Sequence, residues 1–186
     1  MTDGHVDTAD ESVPTEAPTR SRPAGRLRVT LAVAVLVVVL DQLTKHWVLA
    51  ALTGKPPRHV IWTLQWNLSR NSGMAFSKGQ GIGPIIGLLA IVVVVVILRS
   101  VRGNSSRLVA IAAGLVLGGA IGNLSDRLFR GTGWLHGSVI DWIDFQWFPI
   151  FNVADMGVDV GGALFVVWAL FSGRRPAAVR TTTGRS

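Results

Sequence analysis

The segment VIDWIDFQWFPIFNVAD, residues 139–155, is the stretch around which the rest of the chain is organised. It places two carboxylates, Asp141 and Asp155, on either side of residues rich in Trp and Phe, just before the last apolar run. Ionisable groups in or beside a membrane are costly and usually have a function. Asp141 and Asp155 are therefore candidates for a catalytic pair at a membrane surface.

Composition places the chain in a membrane and excludes several chemistries. Of its 186 residues 49% are hydrophobic, and cysteine is absent, which rules out disulfides, thiol catalysis and Cys-based metal sites. The net charge is +7, but the basic residues are mostly arginines between long apolar runs. That pattern indicates membrane topology rather than a nucleic-acid partner.

Four apolar runs predict an all-α membrane protein with four transmembrane helices and a small extracytoplasmic β-containing domain. The predicted helices cover residues 29–52, 82–98, 107–126 and 151–172. A cleaved signal peptide is an alternative for the first run, but charged DQLTK stands where a cleavage site would be expected. The valine run of the second could also form a buried strand.

The connecting segments differ from these helices in composition. Residues 53–83 contain Pro-Pro, several glycines and the β-prone run HVIWTLQWNL, which predicts an extracytoplasmic β segment. Its Trp62, Trp66 and Phe76 lie either on the membrane surface or in a local core. Residues 127–150 are predicted to be a second extracytoplasmic loop.

Arginine placement predicts the orientation. Eleven arginines fall on one side of a four-helix arrangement, in residues 20–28, 99–107 and 174–185. The positive-inside rule then places both termini in the cytoplasm and the polar residues towards the outer face of the membrane. The membrane-embedded domain is predicted at 26–173, between a disordered cytoplasmic tail (1–25) and a basic cytoplasmic tail (174–186).

A second polar cluster accompanies the two aspartates. Asn123, Asp126 and Arg127 share a helical face, and Asn152 with Asp155 repeats the Asn-x-x-Asp spacing. A purely structural interpretation is also open: a local ion pair between Asp126 and Arg127, and an acid at a helix N-terminus.

Two facing carboxylates cannot easily both ionise, so they can share a proton and activate water against a peptide carbonyl. Burial beside aromatic side chains would favour the protonated form. The aromatic candidates are Trp142, Phe145, Trp147 and Phe148. Spacing excludes neither Asp144 nor Asp159 from the pair, although Asp159 is expected to face the helix bundle. No zinc, phosphate-loop or Ser-nucleophile motif occurs, so neither metal nor cofactor is expected.

Two functions that are not enzymatic would also use these acidic residues. In a small transporter or proton relay, the acids would lie along a transmembrane path. In a membrane scaffold, they would bind a lipoprotein without chemistry. The clustering of the acids at one side favours the peptidase hypothesis.

Five motifs in order resemble those of the bacterial lipoprotein signal peptidases, also called type II signal peptidases. They span residues 41–155: DQLTK (41–45), NSGMAFS (71–77), GGAIGNLSDR (118–127), VIDW (139–142) and FNVAD (151–155). One such motif would be weak, but five in this order are highly specific.

The resemblance implies an aspartyl endopeptidase with Asp141 and Asp155 as its catalytic pair and Asp144 as a bystander. Such enzymes cut diacylglyceryl-modified prolipoproteins before the lipid-bearing Cys within membrane lipid, and they are inhibited by globomycin. Oligomeric state stays open. Support of the site or of the substrate backbone is expected from Asp41, Lys45, Asn71, Gly73, Asn123, Asp126, Arg127 and Asn152.

Overall fold

Four helices and three strands make up the described part of the chain, which covers residues 23–73, 83–100 and 106–172 of a computed structural model. The helices are α1 (Pro23–Leu52), α2 (Gly83–Ser100), α3 (Arg107–Phe129) and α4 (Val153–Ser172). The strands are β1 (Arg58–Ile61), β2 (Leu64–Asn71) and β3 (Val139–Asp144). Predictions for most of the N-terminal tail, for residues 74–77 with Phe76, and for the C-terminal tail fall outside the described residues.

Three of the helices are long and apolar enough to cross a membrane, namely α1, α3 and α4. The apolar part of α2, Gly83–Arg99, is shorter. All 18 residues of α2 together would rise roughly 27 Å. A membrane-spanning helix needs about 20 residues for a hydrocarbon core of roughly 30 Å. The described residues therefore contain three candidate spans, and the predicted fourth is not among them.

Helix α3 lies at the centre, in contact with α1, α2 and α4. Its glycines allow close backbone approach: a Cβ on Gly118 would lie 2.7 Å from the carbonyl oxygen of Ala34 in α1. Four residues before Ala34 on α1, Thr30 Oγ1 donates a hydrogen bond of 2.9 Å to the carbonyl of Ala110 in α3. Close backbone contact and a buried hydrogen bond together hold α1 against α3.

The three strands form one antiparallel sheet in the order β1-β2-β3. The fold is thus mostly helical rather than all-α, and β3 lies in a segment that the sequence predicted to be a loop. Strand β3 forms because VIDWID is rich in β-branched and aromatic residues and finds partners on both faces. Ile140 and Trp142 pack with Val48 and Leu52 at the end of α1.

The helix boundaries differ most from the prediction at the start of α1 and at the end of α3. Helix α1 begins at Pro23, so residues 23–25 of the predicted disordered tail are helical. Proline is favourable in a first helical turn because it lacks the N–H that would have no partner there. Helix α3 continues to Phe129, so Arg127 is a helical residue rather than a loop residue.

Candidate active site

Asp141 is held at the sheet end that faces the helices. It lies on β3 with only 3% of its surface exposed. Asn71, the last residue of β2, donates from Nδ2 to Asp141 Oδ2 at 3.2 Å. Asn152 Nδ2 donates to Asp141 Oδ1 at 2.6 Å. Two side-chain amides therefore fix the orientation of this carboxylate without adding charge.

Asp155 is fixed by reciprocal capping at the start of α4. The backbone N–H of Asn152 donates to Asp155 Oδ2 at 3.1 Å, and the N–H of Asp155 donates to Asn152 Oδ1 at 2.9 Å. This is the capping-box arrangement, with Asn and Asp three residues apart. Asn123 Nδ2 of α3 donates to Asp155 Oδ1 at 2.7 Å. Asn152 thus contacts both carboxylates.

An antiparallel bridge between Ile143 and Phe151 brings the chain back, so that Asn152 lies beside Asp141. Phe151 forms an antiparallel bridge with Ile143, and its N–H donates to the Ile143 carbonyl at 3.1 Å. Its own carbonyl accepts the N–H groups of Trp142 and Ile143 at 3.0 and 2.9 Å. Because the residue after this bridge is Asn152, the turn of residues 144–151 sets the distance between β3 and α4.

The environment of Asp141 favours its protonated form. The pKa of Asp141 is raised from 3.8 to about 7, mainly by burial and in smaller part by the neighbouring Asp155 carboxylate. The hydrogen bonds from Asn152 and Asn71 act in the opposite direction but do not outweigh burial. One carboxyl of the two can therefore retain a proton near neutral pH while the other is ionised.

A buried ion cluster of Lys45, Asp41 and Asp126 contacts the residues that hold Asp141 and Asp155. Lys45 Nζ lies 2.8 Å from Asp41 Oδ2 and 2.8 Å from Asp126 Oδ2, and all three side chains are 0% exposed. Lys45 Nζ also donates to Asn123 Oδ1 at 3.0 Å. Since Asn123 in turn donates to Asp155, the ammonium group of α1 orients the amide that holds one of the two aspartates.

The carboxylates of this cluster bind backbone groups of the other elements. Asp41 Oδ1 accepts the N–H of Ala154 at 3.0 Å, in the first turn of α4. Asp126 Oδ2 accepts the N–H of Ile140 at 3.1 Å, next to Asp141 on β3. The cluster therefore links α1, α3, β3 and α4 directly beside the two aspartates.

The local ion pair between Asp126 and Arg127 is not the arrangement found. Asp126 pairs with Lys45 and with Arg130, whose Nε lies 2.6 Å from Asp126 Oδ1. Arg127 points away from it: Nη2 donates to the Gly73 carbonyl at 3.4 Å. Arg127 Nη1 is buried without a hydrogen-bond partner among the described residues. Gly73 itself is positioned by its N–H, which donates to Asn71 Oδ1 at 3.1 Å.

A cavity of about 370 Å³ opens onto the pair. At one end it is lined by polar groups, including both aspartates, Asn123 and Arg127. Apolar residues of three helices line most of the remainder: Ile86, Leu89, Ala90 and Val93 of α2, Val116, Ala120 and Leu124 of α3, and Val158 of α4. Asp159 of α4 lines the cavity as well. The cavity therefore joins polar groups beside the sheet to a largely apolar cleft formed by α2, α3 and α4.

The other two carboxylates have separate environments. Asp144 is buried and accepts hydrogen bonds from Gln65 and Asn67 of β2 and from the Gln146 N–H, at 2.7, 2.8 and 2.6 Å. Burial raises the pKa of Asp144, but these three bonds outweigh it and the net pKa is lowered. Asp159 lines the cavity that α2, α3 and α4 form between them, and its side chain is exposed there.

The aromatic surroundings differ from the prediction as well. Trp142 is buried, but its ring packs against Trp47 and Trp66, at centroid distances of 5.6 and 5.0 Å. Trp147 and Phe148 are 74% and 48% exposed. Successive side chains of a strand point to opposite faces, so Trp142 cannot cover its neighbour Asp141. The burial of Asp141 comes from the asparagines and helices described above.

Two residues of the site were not singled out from the sequence. Gln42 Nε2 donates to the Gly122 carbonyl at 3.2 Å and to Asp126 Oδ1 at 3.3 Å. Arg130 donates from Nη2 to Gln42 Oε1 at 3.3 Å. Signals for both exist: Gln42 lies inside DQLTK, and Arg130 is four residues from Asp126. Within the described ranges, no group of three or more His, Asp or Glu residues could hold a metal ion.

Known proteins are similar to this chain in both sequence and fold. The sequence model of the family described as Signal peptidase (SPase) II matches residues 33–171. The lipoprotein signal peptidase of Mycolicibacterium smegmatis is 43% identical over 159 residues, covering 85% of this chain and 68% of that protein. The lipoprotein signal peptidase of Mycobacterium tuberculosis H37Rv is 40% identical over 178 residues, covering 92% and 88%.

Two solved structures of bacterial membrane enzymes, both determined by the in meso method, are similar to this one. The first has a TM-score of 0.68 at 26% identity and covers 81% of this chain and 94% of that chain. The second has a TM-score of 0.65 at 28% identity and covers 76% and 92%. The resemblance found in the five sequence motifs is therefore confirmed, and the chain belongs to the signal peptidase II family, membrane proteases of lipoprotein processing.

Proposed function

We propose that this chain is an aspartyl endopeptidase that removes signal peptides from diacylglyceryl-modified prolipoproteins by cutting before the lipid-bearing Cys. Asp141 and Asp155 are its catalytic pair. The observation that carries the proposal is their shared setting: both line the polar end of one cavity, and Asn152 donates hydrogen bonds to both. Family membership supplies the substrate class.

The reaction needs one proton shared by the two aspartates. The ionised carboxylate takes a proton from a water molecule while the oxygen of that water attacks the scissile carbonyl carbon. The protonated carboxyl gives its proton to the carbonyl oxygen. The resulting tetrahedral species breaks its C–N bond when the carboxyl that took the proton from water gives it to the Cys nitrogen. The other aspartate takes back a proton from a hydroxyl of the tetrahedral carbon, so a carboxyl product forms and the pair again holds one proton. The raised pKa of Asp141 supports the presence of this proton near neutral pH. Because the pair titrates as a unit, neither aspartate is assigned one fixed role.

The lining of the cavity suits both parts of such a substrate. The largely apolar cleft formed by α2, α3 and α4 suits the hydrophobic segment of a signal peptide that enters from the membrane lipid. The free Nη1 of Arg127 is available to donate to a backbone carbonyl near the pair. The lipid chains on the Cys remain in the bilayer, and a globomycin-type inhibitor would occupy the same cleft.

The supporting residues hold the pair rather than react. Asn71, Asn123 and Asn152 orient the carboxylates, and the cluster of Lys45 with Asp41 and Asp126 fixes Asn123 and the start of α4. Gly73 presents its carbonyl to Arg127. No cofactor or metal enters this mechanism.

The membrane arrangement is part of the same proposal. Residues 26–173 form the peptidase domain of a bacterial inner-membrane protein, with α2 as a fourth span and both termini in the cytoplasm. The distribution of arginines supports this orientation, which leaves the sheet and the catalytic pair at the extracytoplasmic face.

The test uses three Asp→Asn variants in the same detergent or proteoliposome preparation. Asp141→Asn and Asp155→Asn should each lower cleavage of a purified lipidated precursor by at least about 10⁴-fold, because neither amide can exchange the shared proton. Asp144→Asn is the matched control: Asp144 lies on the same strand but contacts Gln65 and Asn67, so cleavage should persist.

Globomycin should abolish the cleavage that wild-type protein and the Asp144→Asn control retain. Wild-type rates in either Asp141→Asn or Asp155→Asn would reject the catalytic pair. An intact precursor after incubation with wild-type protein would reject the peptidase itself and favour a transporter or a scaffold.

A further inference from the structure

Asp159 lies in the cavity but has no part in the mechanism above. It follows Asp155 by four residues on α4, so the two carboxylates share one helical face about 6 Å apart along the axis. Both line the same cavity, and Asp159 is exposed to it. Asp159 is therefore one turn farther from the sheet, in a helix long and apolar enough to span a membrane.

Most of the residues that line the cavity together with Asp159 are apolar. They are contributed mainly by α2, α3 and α4 and include Leu89, Ala90, Val93, Val116 and Val158. Among the described residues, none donates a hydrogen bond to Asp159 or forms an ion pair with it, in contrast to Asp41, Asp126, Asp141, Asp144 and Asp155. A carboxyl group in apolar surroundings without a partner is costly. A partner for it can come from whatever occupies the cavity.

We propose that Asp159 determines specificity: it accepts a hydrogen bond from a polar side chain of the signal peptide just upstream of the scissile bond. This rests on the proposed function, because the ligand is the substrate of that reaction. The chemistry fits a hydroxyl, amide or ammonium donor embedded in an otherwise apolar segment.

The spacing of the carboxylates predicts where that donor lies. An extended peptide advances about 3.3 Å per residue and a helical one about 1.5 Å, so 6 Å corresponds to roughly two to four residues. The selected side chain therefore lies about two to four residues on the signal-peptide side of the bond that faces Asp155.

The experiment measures kcat/KM for a set of lipidated precursors. One precursor has only Leu and Ala before the cleavage site, and each of the others carries a single Gln at one position from two to five residues upstream. The enzymes are the wild type, Asp159→Leu and, as a control, Val160→Leu. Val160 is the next residue along α4, is exposed and does not line the cavity.

The decisive quantity is the ratio of kcat/KM for a Gln precursor to that for the apolar precursor. In the wild type this ratio should be highest at one position, and Asp159→Leu should lower it there by about 10-fold or more, because the buried amide loses its acceptor. Asp159→Leu should also cleave the apolar precursor a few-fold faster, since no carboxyl then faces Leu. Val160→Leu should keep the wild-type ratios.

Equal ratios in wild type and Asp159→Leu at every position would overturn the proposal, as would an equal change in Val160→Leu. If Asp159→Leu does not fold, Asp159→Ala removes the same acceptor and gives the same comparison. Failure of the proposed function is recognised separately, because the wild type would then leave even the apolar precursor uncut.

Discussion

Replacing Lys45 by Met tests whether the buried ion cluster holds the fold together. Met is similar in length to Lys but carries no charge, so Asp41 and Asp126 would both lose an ammonium group that lies 2.8 Å from each carboxylate. All three side chains are fully buried, so water cannot replace the lost contacts without opening the structure. Removal of one partner of a buried ion pair costs about 3–5 kcal/mol.

This cost predicts a large loss of thermal stability. For a chain of this length, 1 kcal/mol corresponds to about 2–4 °C, so the Tm of Lys45→Met should fall by roughly 6–20 °C. The absence of cysteine excludes thiol-reactive dyes as a probe. Tryptophan fluorescence during heating in detergent micelles is the suitable measurement, since seven tryptophans are present.

The control and the double variant separate charge pairing from general damage. Lys55 is exposed and, within the part of the chain that the structure describes, its Nζ donates only to the Ala51 carbonyl, so Lys55→Met should change Tm by less than about 2 °C. Asp126 keeps its ion pair with Arg130 in Lys45→Met, so Asp41 is the carboxylate that loses its cation. In Lys45→Met/Asp41→Asn this carboxylate is replaced by a neutral amide, so part of the lost stability should return. A Tm of Lys45→Met within about 2 °C of wild type would refute the reasoning.

Two further predictions concern pH and helix packing. Because the folded-state pKa of Asp141 is about 7 against 3.8 unfolded, the folded state holds a proton that the unfolded chain releases. Stability should therefore fall as pH rises from about 4 through about 7, and Asp141→Asn should flatten this slope; an unchanged Tm-against-pH profile would contradict it. Gly118→Ala should lower Tm by several degrees, because its Cβ would meet Ala34 and Val37 at 2.7 Å. Gly162→Ala meets nothing within 4 Å and should keep or raise Tm, and equal losses in both variants would argue against the packing.

Local sequence was sufficient for the features that depend on neighbouring residues. Long apolar runs indicated the helices, because about 20 apolar residues suffice to span a bilayer whatever their partners are. The spacing of Asn152 and Asp155 indicated a helix start, since the capping box closes within four residues. The five motifs were enough to indicate the family that the comparisons confirm.

Features that depend on contacts between distant segments were predicted less well. The segment 139–144 became a strand because β2 provides an edge and α1 an apolar surface, and neither is visible in the segment itself.

The amino-acid sequence by itself determined the apolar helices, the ionisable residues and the order of the five motifs. Only the tertiary structure decided which of those residues meet. It pairs Asp126 with Lys45, which is 81 positions away, rather than with the adjacent Arg127, and it places Asp159 in the same cavity as Asp141 and Asp155. The physical reason is that a buried charge takes whichever partner the packed backbone brings within about 3 Å, and sequence separation does not restrict that choice.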